Sequence, residues 1–347
     1  MPTDYKKILI IRFSSLGDVI LTTPLLKVLR EKFPNTRIDF LTRVSYMEVL
    51  VNNSNIDNII AVSDELPFSE LKEIKNNLRK EKYDLVIDLH NNLRTFYLRN
   101  FLKLSGSRIL IFRKYSIRKK LLVRFKLNLM KDLPSIIDRY ILTLKKLFPV
   151  DEYLNKYLPE IFTDEKSKNN VDRILSKEGI GNDKELICIV PSSIHFTKTY
   201  PPELYEELID HFDAAKYNFV LVGTGEAIYN IDVIKTGIER NVFNLYNKFN
   251  TIELAELMKR CSYVITGDTG PMHIAEAMNV PVIMMAGSSV REFGFYPQNK
   301  NAIVLEVNYL KCRPCSHIGR SECPLVHFKC MREITPAQIQ LRMKIEK

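Results

Sequence analysis

The strongest constraint on the fold is an alternation, run through twice, between short β-branched runs and amphipathic stretches of helical length. The run Lys7-Ile-Leu-Ile-Ile-Arg-Phe13 reads as a buried strand, and residues 18–33 read as one helix stopped by Pro34. Residues 37–41, 58–62, 83–88 and 108–112 read as four more strands, with helix-like segments between them. The rhythm fades from about 148 to 185, where Pro149, Pro159, Gly179, Gly181 and the polar run 163–170 suggest a boundary holding one helix at 171–177. It then restarts, with strands expected at 185–190, 218–222, 242–245, 263–266 and 281–285, and helices beginning near Pro201, Glu226, Ile252 and Pro271. Apolar strands alternating with helices predict parallel sheets covered on both faces.

This pattern predicts an α/β chain of two doubly wound domains, 1–165 and 166–334, with a last helix in 335–347. That helix is well signalled: Thr335 as N-cap, Pro336 at its first position and Gln338 completing a capping box. A length of 347 residues suits two domains. In open α/β sheets ligands bind at strand carboxyl ends, so the expected site is a cleft served by both domains.

Composition excludes several classes. With 46% hydrophobic and 27% charged residues the chain is not disordered. Its longest apolar run, 280–287, falls far short of the roughly 20 residues that span a bilayer. The apolar stretch 8–11 is cut by Arg12 and Asp18, so it is no signal-peptide core. The expected compartment is the cytoplasm, where six cysteines stay reduced. Net charge is +10 and one-sided: residues 1–165 carry 29 Lys and Arg against 20 Asp and Glu, the remainder 22 against 21. Between Asp88 and Asp132 stand twelve Lys or Arg and no acid. Such a run suits nucleic acid, an anionic glycolipid or a membrane surface, or is simply a solvated basic face.

Six segments can carry chemistry. Phe13-Ser-Ser-Leu-Gly-Asp-Val-Ile-Leu-Thr-Thr-Pro24 leads from the first strand into a helix, with Gly17 at the turn and Asp18 as helix cap or general base. Thr266-Gly-Asp-Thr-Gly-Pro-Met-His-Ile-Ala-Glu-Ala-Met278 repeats that geometry, and free N–H groups behind Pro271 make an anion site. There Thr269 adds a hydroxyl, Gly270 permits close approach and His273 lies in the first turn. The loop 190–202 offers Ser192, Ser193 and the point charge of Lys198, and Glu226, after Val222-Gly-Thr-Gly, can accept from ribose hydroxyls. Asp88-Leu-His-Asn-Asn-Leu-Arg94 opens the basic run, with His90, Asn91, Asn92 and Arg94 suited to a polar, anionic partner. Cys312, Cys315, Cys323 and Cys330 form C-x2-C-x7-C-x6-C, compatible with zinc, an iron–sulfur cluster, redox disulfides or plain reduced thiols.

Taken together, these loops resemble glycosyltransferase family 9, the lipopolysaccharide heptosyltransferases, over nearly the whole chain. The likeness is most specific in 14–24 and 267–278; Lys198-Thr-Tyr-Pro201 resembles the family's Lys-x-Trp-Pro with Tyr200 in place of Trp, and the Cys-x-x-Cys tail recurs in relatives. The resemblance implies a GT-B fold: two Rossmann-like domains facing a central cleft, acceptor on the first, nucleotide sugar on the second, the C-terminal helix crossing back to the first. It implies an inverting, metal-independent transfer of heptose from ADP-heptose to the Kdo–lipid A core at the inner membrane. Carried over by motif, Asp18 matches the catalytic base. Ser192, Ser193, Lys198, Glu226, Asp268, Thr269, Gly270 and His273 match donor positions. Ser15, Gly17, Asn91 and Arg94 fall in the acceptor region, and the basic residues 94–131 would meet the anionic membrane surface. A nucleic-acid-binding protein is the out-of-class alternative, but the basic run lacks a recognition motif and leaves the donor-type loops without a role.

Overall fold

The structure, a computed structural model, describes residues 5–224 and 233–343. It divides into two compact units. The first comprises residues up to Tyr115 together with Pro134–Phe162, and the second comprises Ser116–Leu133 and the chain from Thr163 onward.

The first unit holds β1 (Lys7–Ile11), β2 (Arg37–Arg43), β3 (Asn58–Val62), β4 (Leu85–Asp88) and β5 (Arg108–Ile111), hydrogen-bonded in the order β3-β2-β1-β4-β5. Every pairing is parallel. The second unit holds β6 (Glu185–Val190), β7 (Tyr217–Leu221), β8 (Val242–Asn244), β9 (Tyr263–Gly267), β10 (Val282–Ala286) and β11 (Ile303–Glu306), in the order β11-β10-β9-β6-β7-β8, again all parallel. The two sheets wind alike: the second, read from β8, repeats the first and adds one strand. Both are the Rossmann-like units expected from the sequence. In each, the direction of winding reverses once, between β1 and β4 and between β6 and β9, and a crevice opens at such a reversal at the strand carboxyl ends.

Parallel sheets bury both faces, and the central strands show it: Ile8, Leu9, Ile10 and Ile11 are fully buried, as are Ile187, Cys188 and Ile189. Each such aliphatic side chain contributes about 1.5–3 kcal/mol relative to exposure. In the first unit Leu9, Ile11 and Val86 pack with Leu98 and Leu102. In the second, Ile187, Ile265 and Ile283 join a core with Tyr200, Tyr205 and Met331.

Four expectations need correction. The helix expected over 18–33 is two, Leu16–Ile20 and Thr23–Lys32. The Thr22 and Thr23 hydroxyls donate back to the carbonyls of Val19 and Ile20, and Pro24 brings no N–H, so the ladder breaks there. The chain does change units here, at Phe162/Thr163, but the helix expected at 171–177 starts earlier, at Glu165, and runs to Lys177, capped by the Asp164 carboxylate accepting from the Ser167 N–H. Residues 116–133 leave the first unit for the second. Lys126 Nζ donates to the carbonyls of Cys312 (3.0 Å) and Pro314 (2.7 Å), and Asn128 donates to Glu292 (2.7 Å). The boundaries 1–165 and 166–334 therefore give way to interleaved units, and the basic run 94–131 is shared between them.

The C-terminal helix, Pro336–Met343, is the fourth. Its capping box forms as expected between Thr335 and Gln338. Its described residues pack within the second unit, where the expectation had them on the first. Ile339 and Met343, one turn apart, fill the core of the second. Tyr263 donates to the Met343 carbonyl and Gln340 to that of His211.

Candidate functional site

Asp18 sits in the five-residue helix that follows β1, at the winding reversal of the first sheet. Four donors reach its carboxylate. One oxygen accepts from Arg12 (2.7 Å) and from the Tyr140 hydroxyl (3.0 Å); the other accepts the Ser15 N–H (3.2 Å) and the Ser15 hydroxyl (2.9 Å). Burial works against ionisation here, yet the Arg12 guanidinium and the bonds from Ser15 and Tyr140 outweigh it. They hold the carboxyl below the usual carboxylate range. Asp18 thus caps its helix and also presents a fixed negative charge, with 17% of its side chain exposed. Arg12, only 7% exposed, is itself anchored on the Leu89 carbonyl (2.6 Å).

The other first-unit residues divide. Ser15 is exposed beside Asp18, and Gly17 is buried within the same helix. Asn91 follows β4 and is spent on structure. Its N–H donates to Asp88 (2.7 Å), its amide nitrogen to the Phe112 carbonyl (3.0 Å), and its oxygen accepts from Arg99 (2.9 Å). Arg94 turns to the Glu65 carbonyl (3.0 Å) after β3.

In the second unit the loops after β6 and β9 meet at the corresponding reversal. Lys198 and Asp268 form an ion pair at 2.9 Å with side chains 17% and 8% exposed. Burial opposes the Asp268 charge, but Lys198, then His273 and Ser289, hold its carboxyl below the ordinary range. The helix Gly270–Ala277 starts at Thr269, whose hydroxyl lies 3.2 Å from that of Thr266 and does not cap the helix. Its first-turn N–H groups therefore remain for an anion. His273 is buried with Nδ1 lacking a hydrogen bond, 3.8 Å from Glu276. Ser192 pairs with the Tyr246 hydroxyl (3.1 Å), and the Ser193 hydroxyl accepts the His195 N–H (3.2 Å). Glu226 lies outside the described residues.

Sequence reading missed the parts that position these groups. Tyr140 gave no local signal, whereas Arg12 stood out as a charge ending an apolar strand. Gly267 is required because a side-chain carbon there would overlap the Lys198 carbonyl oxygen, so this glycine lets the two loops close on each other. Arg313, between the first two cysteines of the tail, donates to the carbonyls of Gly287 (2.7 Å), Ala286 (2.9 Å), Ser289 (2.8 Å) and Val307 (2.8 Å), tying down the turn after β10. Tyr200 is a core residue, donating to the Ile334 carbonyl at 2.6 Å.

The cysteine tail does not present a ligand set. Among the described residues no three His, Cys, Asp or Glu side chains converge as metal ligands. Cys312, Cys315, Cys323 and Cys330 are free thiols; Cys312 Sγ lies 3.9 Å from His327 Nε2. Burial raises Cys315 and pushes Cys330 up to about 12, so these free thiols are neutral.

Comparison with known proteins follows the same lines. The family model described as glycosyltransferase family 9 (heptosyltransferase) matches residues 71–325. Lipopolysaccharide heptosyltransferase 1 of Campylobacter coli is 26% identical, over 91% of this chain and 93% of its own. Lipopolysaccharide heptosyltransferase 3 of Escherichia coli K12 is 24% identical, over 87% and 88%. The crystal structure of a family 9 glycosyl transferase from Veillonella parvula superposes with a TM-score of 0.81 at 26% identity, covering 99% of this chain and 98% of that one.

Proposed function

The chain belongs to glycosyltransferase family 9, and from that premise we propose that it moves L-glycero-D-manno-heptose from ADP-heptose to the lipopolysaccharide inner core, Kdo–lipid A or its heptosylated form. The observation that carries this reading is the pair of winding reversals: an ionised carboxylate at one, a lysine and an uncapped helix start at the other. A base and a diphosphate site are what an inverting displacement needs.

In the proposed reaction the acceptor hydroxyl oxygen bonds to the anomeric carbon as the bond from that carbon to the diphosphate oxygen breaks. The hydroxyl proton passes to Asp18, and the electron pair leaves with ADP. All four acceptor positions of Asp18 are filled in the free protein, so one donor must yield. Arg12 and Tyr140 are buried, whereas Ser15 is exposed and open to replacement. The acceptor hydroxyl therefore takes the place of the Ser15 hydroxyl. The charge growing on the diphosphate is met by Lys198 and the N–H groups at Thr269 and Gly270, which can serve without a divalent ion. Ser192, Ser193, Glu226, Asp268 and His273 complete the proposed donor site, and Gly17, Asn91 and Arg94 shape the acceptor side.

The test is transfer from ADP-heptose to a truncated Kdo2–lipid A acceptor with EDTA present. Turnover supports donor, acceptor and metal independence together. Turnover with a different nucleotide sugar, from a donor panel, would replace the heptose assignment with another family 9 transfer. Gly267→Ala, which pushes the Lys198 loop away from β9, is expected to lower turnover about 10²-fold. Wild-type kinetics in that variant would remove the loop contact from the mechanism.

Membrane association is part of the proposal. No helix among the described residues is long and apolar enough to cross a membrane. Helix Ser116–Phe125 carries Arg118, Lys119, Lys120 and Arg124 beside the exposed Ile117 and Phe125. Basic groups at an anionic surface contribute about 1 kcal/mol each, which suits peripheral contact with the cytoplasmic face of the inner membrane. Sedimentation with phosphatidylglycerol vesicles is expected to capture the wild type at low salt. Lys120→Glu/Arg124→Glu is expected to stay in the supernatant, and equal capture of both would sink the assignment.

A further inference from the structure

The helix Gly270–Ala277 carries a buried acid that the proposed reaction leaves without a role. Glu276 is 1% exposed, and His273, one turn before it on the same helix face, is 4% exposed. One Glu276 oxygen accepts the backbone N–H groups of Gln298 and of Asn299, the latter at 3.2 Å. The other, Oε2, is buried with no hydrogen-bond partner, and so is His273 Nδ1. These two atoms lie 3.8 Å from each other. An N–H···O bond spans about 2.7–3.2 Å, so a movement of about 1 Å joins them. Each buried polar group left unmade costs free energy, and one bond between the two removes both costs.

Chemistry fixes the direction of that bond. A carboxylate only accepts, so the proton lies on Nδ1, and Nε2 is left at the opposite edge of the ring. The groups facing the imidazole from other elements are few. Burial opposes the Asp268 charge, and Lys198, then His273, favour it, so the ring lies within reach of that carboxylate. Asp268 is already neutralised by Lys198 at 2.9 Å. The Phe295 ring stands edge to face with the imidazole at 6.4 Å. Among the described residues, His273 is the basic side chain paired with Glu276. The imidazole therefore stands between a buried carboxylate behind it and the place proposed for the diphosphate in front.

We propose that Glu276 is a positioning residue: it accepts from His273 Nδ1–H and holds the ring as an imidazolium when a nucleoside diphosphate binds, so that Nε2–H donates to the diphosphate. This rests on the reading of the second unit as the donor side and deepens it by giving the buried acid a part. In the free protein Nδ1 carries the proton. On binding, solvent supplies a second proton to Nε2, and it returns to solvent when the diphosphate leaves. Two anions, one at each ring nitrogen, stabilise a cation that adds to Lys198 as charge grows on the leaving group.

Calorimetry of ADP binding to the full chain at about pH 8, in buffers of different ionisation enthalpy, counts the protons taken up. An ordinary imidazole is neutral there, so the wild type is expected to take up about one proton per ADP. Glu276→Gln keeps an oxygen for the Gln298 and Asn299 N–H groups but turns an NH2 group toward Nδ1, which moves the ring proton to Nε2. That variant is expected to keep its Tm and to bind ADP without proton uptake, as is His273→Gln. Two-bond 15N–1H correlations of His273 read the same contact with no ligand: Nδ1 protonated in the wild type, Nε2 protonated in Glu276→Gln. In transfer, Glu276→Gln is expected to lose about 10-fold in kcat with the acceptor KM unchanged, and to lose nothing further on a His273→Gln background. An Nε2-protonated ring in the free wild type, or losses that add in the double variant, overturns the proposal. A wild type that binds ADP without proton uptake overturns it and leaves the donor reading standing, whereas one that binds no ADP overturns both.

Discussion

Asp18→Asn is expected to cut transfer by about 10²–10⁴-fold while leaving ADP binding intact. The amide keeps the size of the carboxylate and can still accept from Arg12 and Tyr140, so the loss isolates the proton acceptor. The pH dependence follows from the direction of the Asp18 shift. Its folded pKa lies below the ordinary carboxylate value, so the base stays ionised through neutral pH, and the acid limb of kcat/KM falls below the usual range. The linked stability has the same sign: it is present above the unfolded pKa of about 3.9 and is lost as pH falls through the folded value. Arg12 is the largest contribution lowering that pKa, so Arg12→Gln is expected to move the acid limb to higher pH. Arg12→Lys, which keeps a charge, is expected to move it less. Full activity in Asp18→Asn would remove this residue as the base. An unmoved acid limb in Arg12→Gln would assign that limb to another group.

The sequence announced what repeats and concealed what reaches across. Ten of the strands were legible because buried parallel strands are written as unbroken β-branched runs. β11 was not, because Ile303–Glu306 is a four-residue edge strand that is half-buried throughout. Asp18, Lys198 and Asp268 drew notice because each lies in the short segment that leads from a strand into a helix. Their partners were not. Tyr140 lies 122 residues from Asp18, and Arg313 acts on carbonyls more than twenty residues away. Such contacts are set by tertiary packing and leave no local pattern. The interleaving of the units was hidden for the same reason. Residues 116–133 have the composition of the segment around them, and Lys126 declares its place through carbonyls at 312 and 314. Asn91 and Arg94 likewise bond at long range, to the Phe112 and Glu65 carbonyls, contacts that the sequence of their loop does not announce.

Lys198→Met separates stability from catalysis, because Lys198 pairs with Asp268 and, in the proposed reaction, also meets the diphosphate. Its ammonium lies 2.9 Å from Asp268, and both side chains are largely shielded from water. Removing one partner of such a pair leaves a buried charge uncompensated, at a cost of about 3–5 kcal/mol. The Asp268 carboxyl then returns toward or above its ordinary pKa, so the stability it lends above the unfolded value shrinks. Asp268→Asn on the Lys198→Met background removes the stranded charge and is expected to recover most of the lost thermal stability. Transfer follows a different rule. In the proposed reaction Lys198 meets the leaving diphosphate, and losing such a preorganised group costs about 10²–10³-fold in kcat. The double variant is therefore expected to regain Tm without regaining kcat. Thermal unfolding and single-turnover transfer, measured on both variants, read the two effects separately. If kcat recovers together with Tm, Lys198 acts by holding the loop after β6 in place, and the diphosphate charge is met by the helix at Gly270 alone.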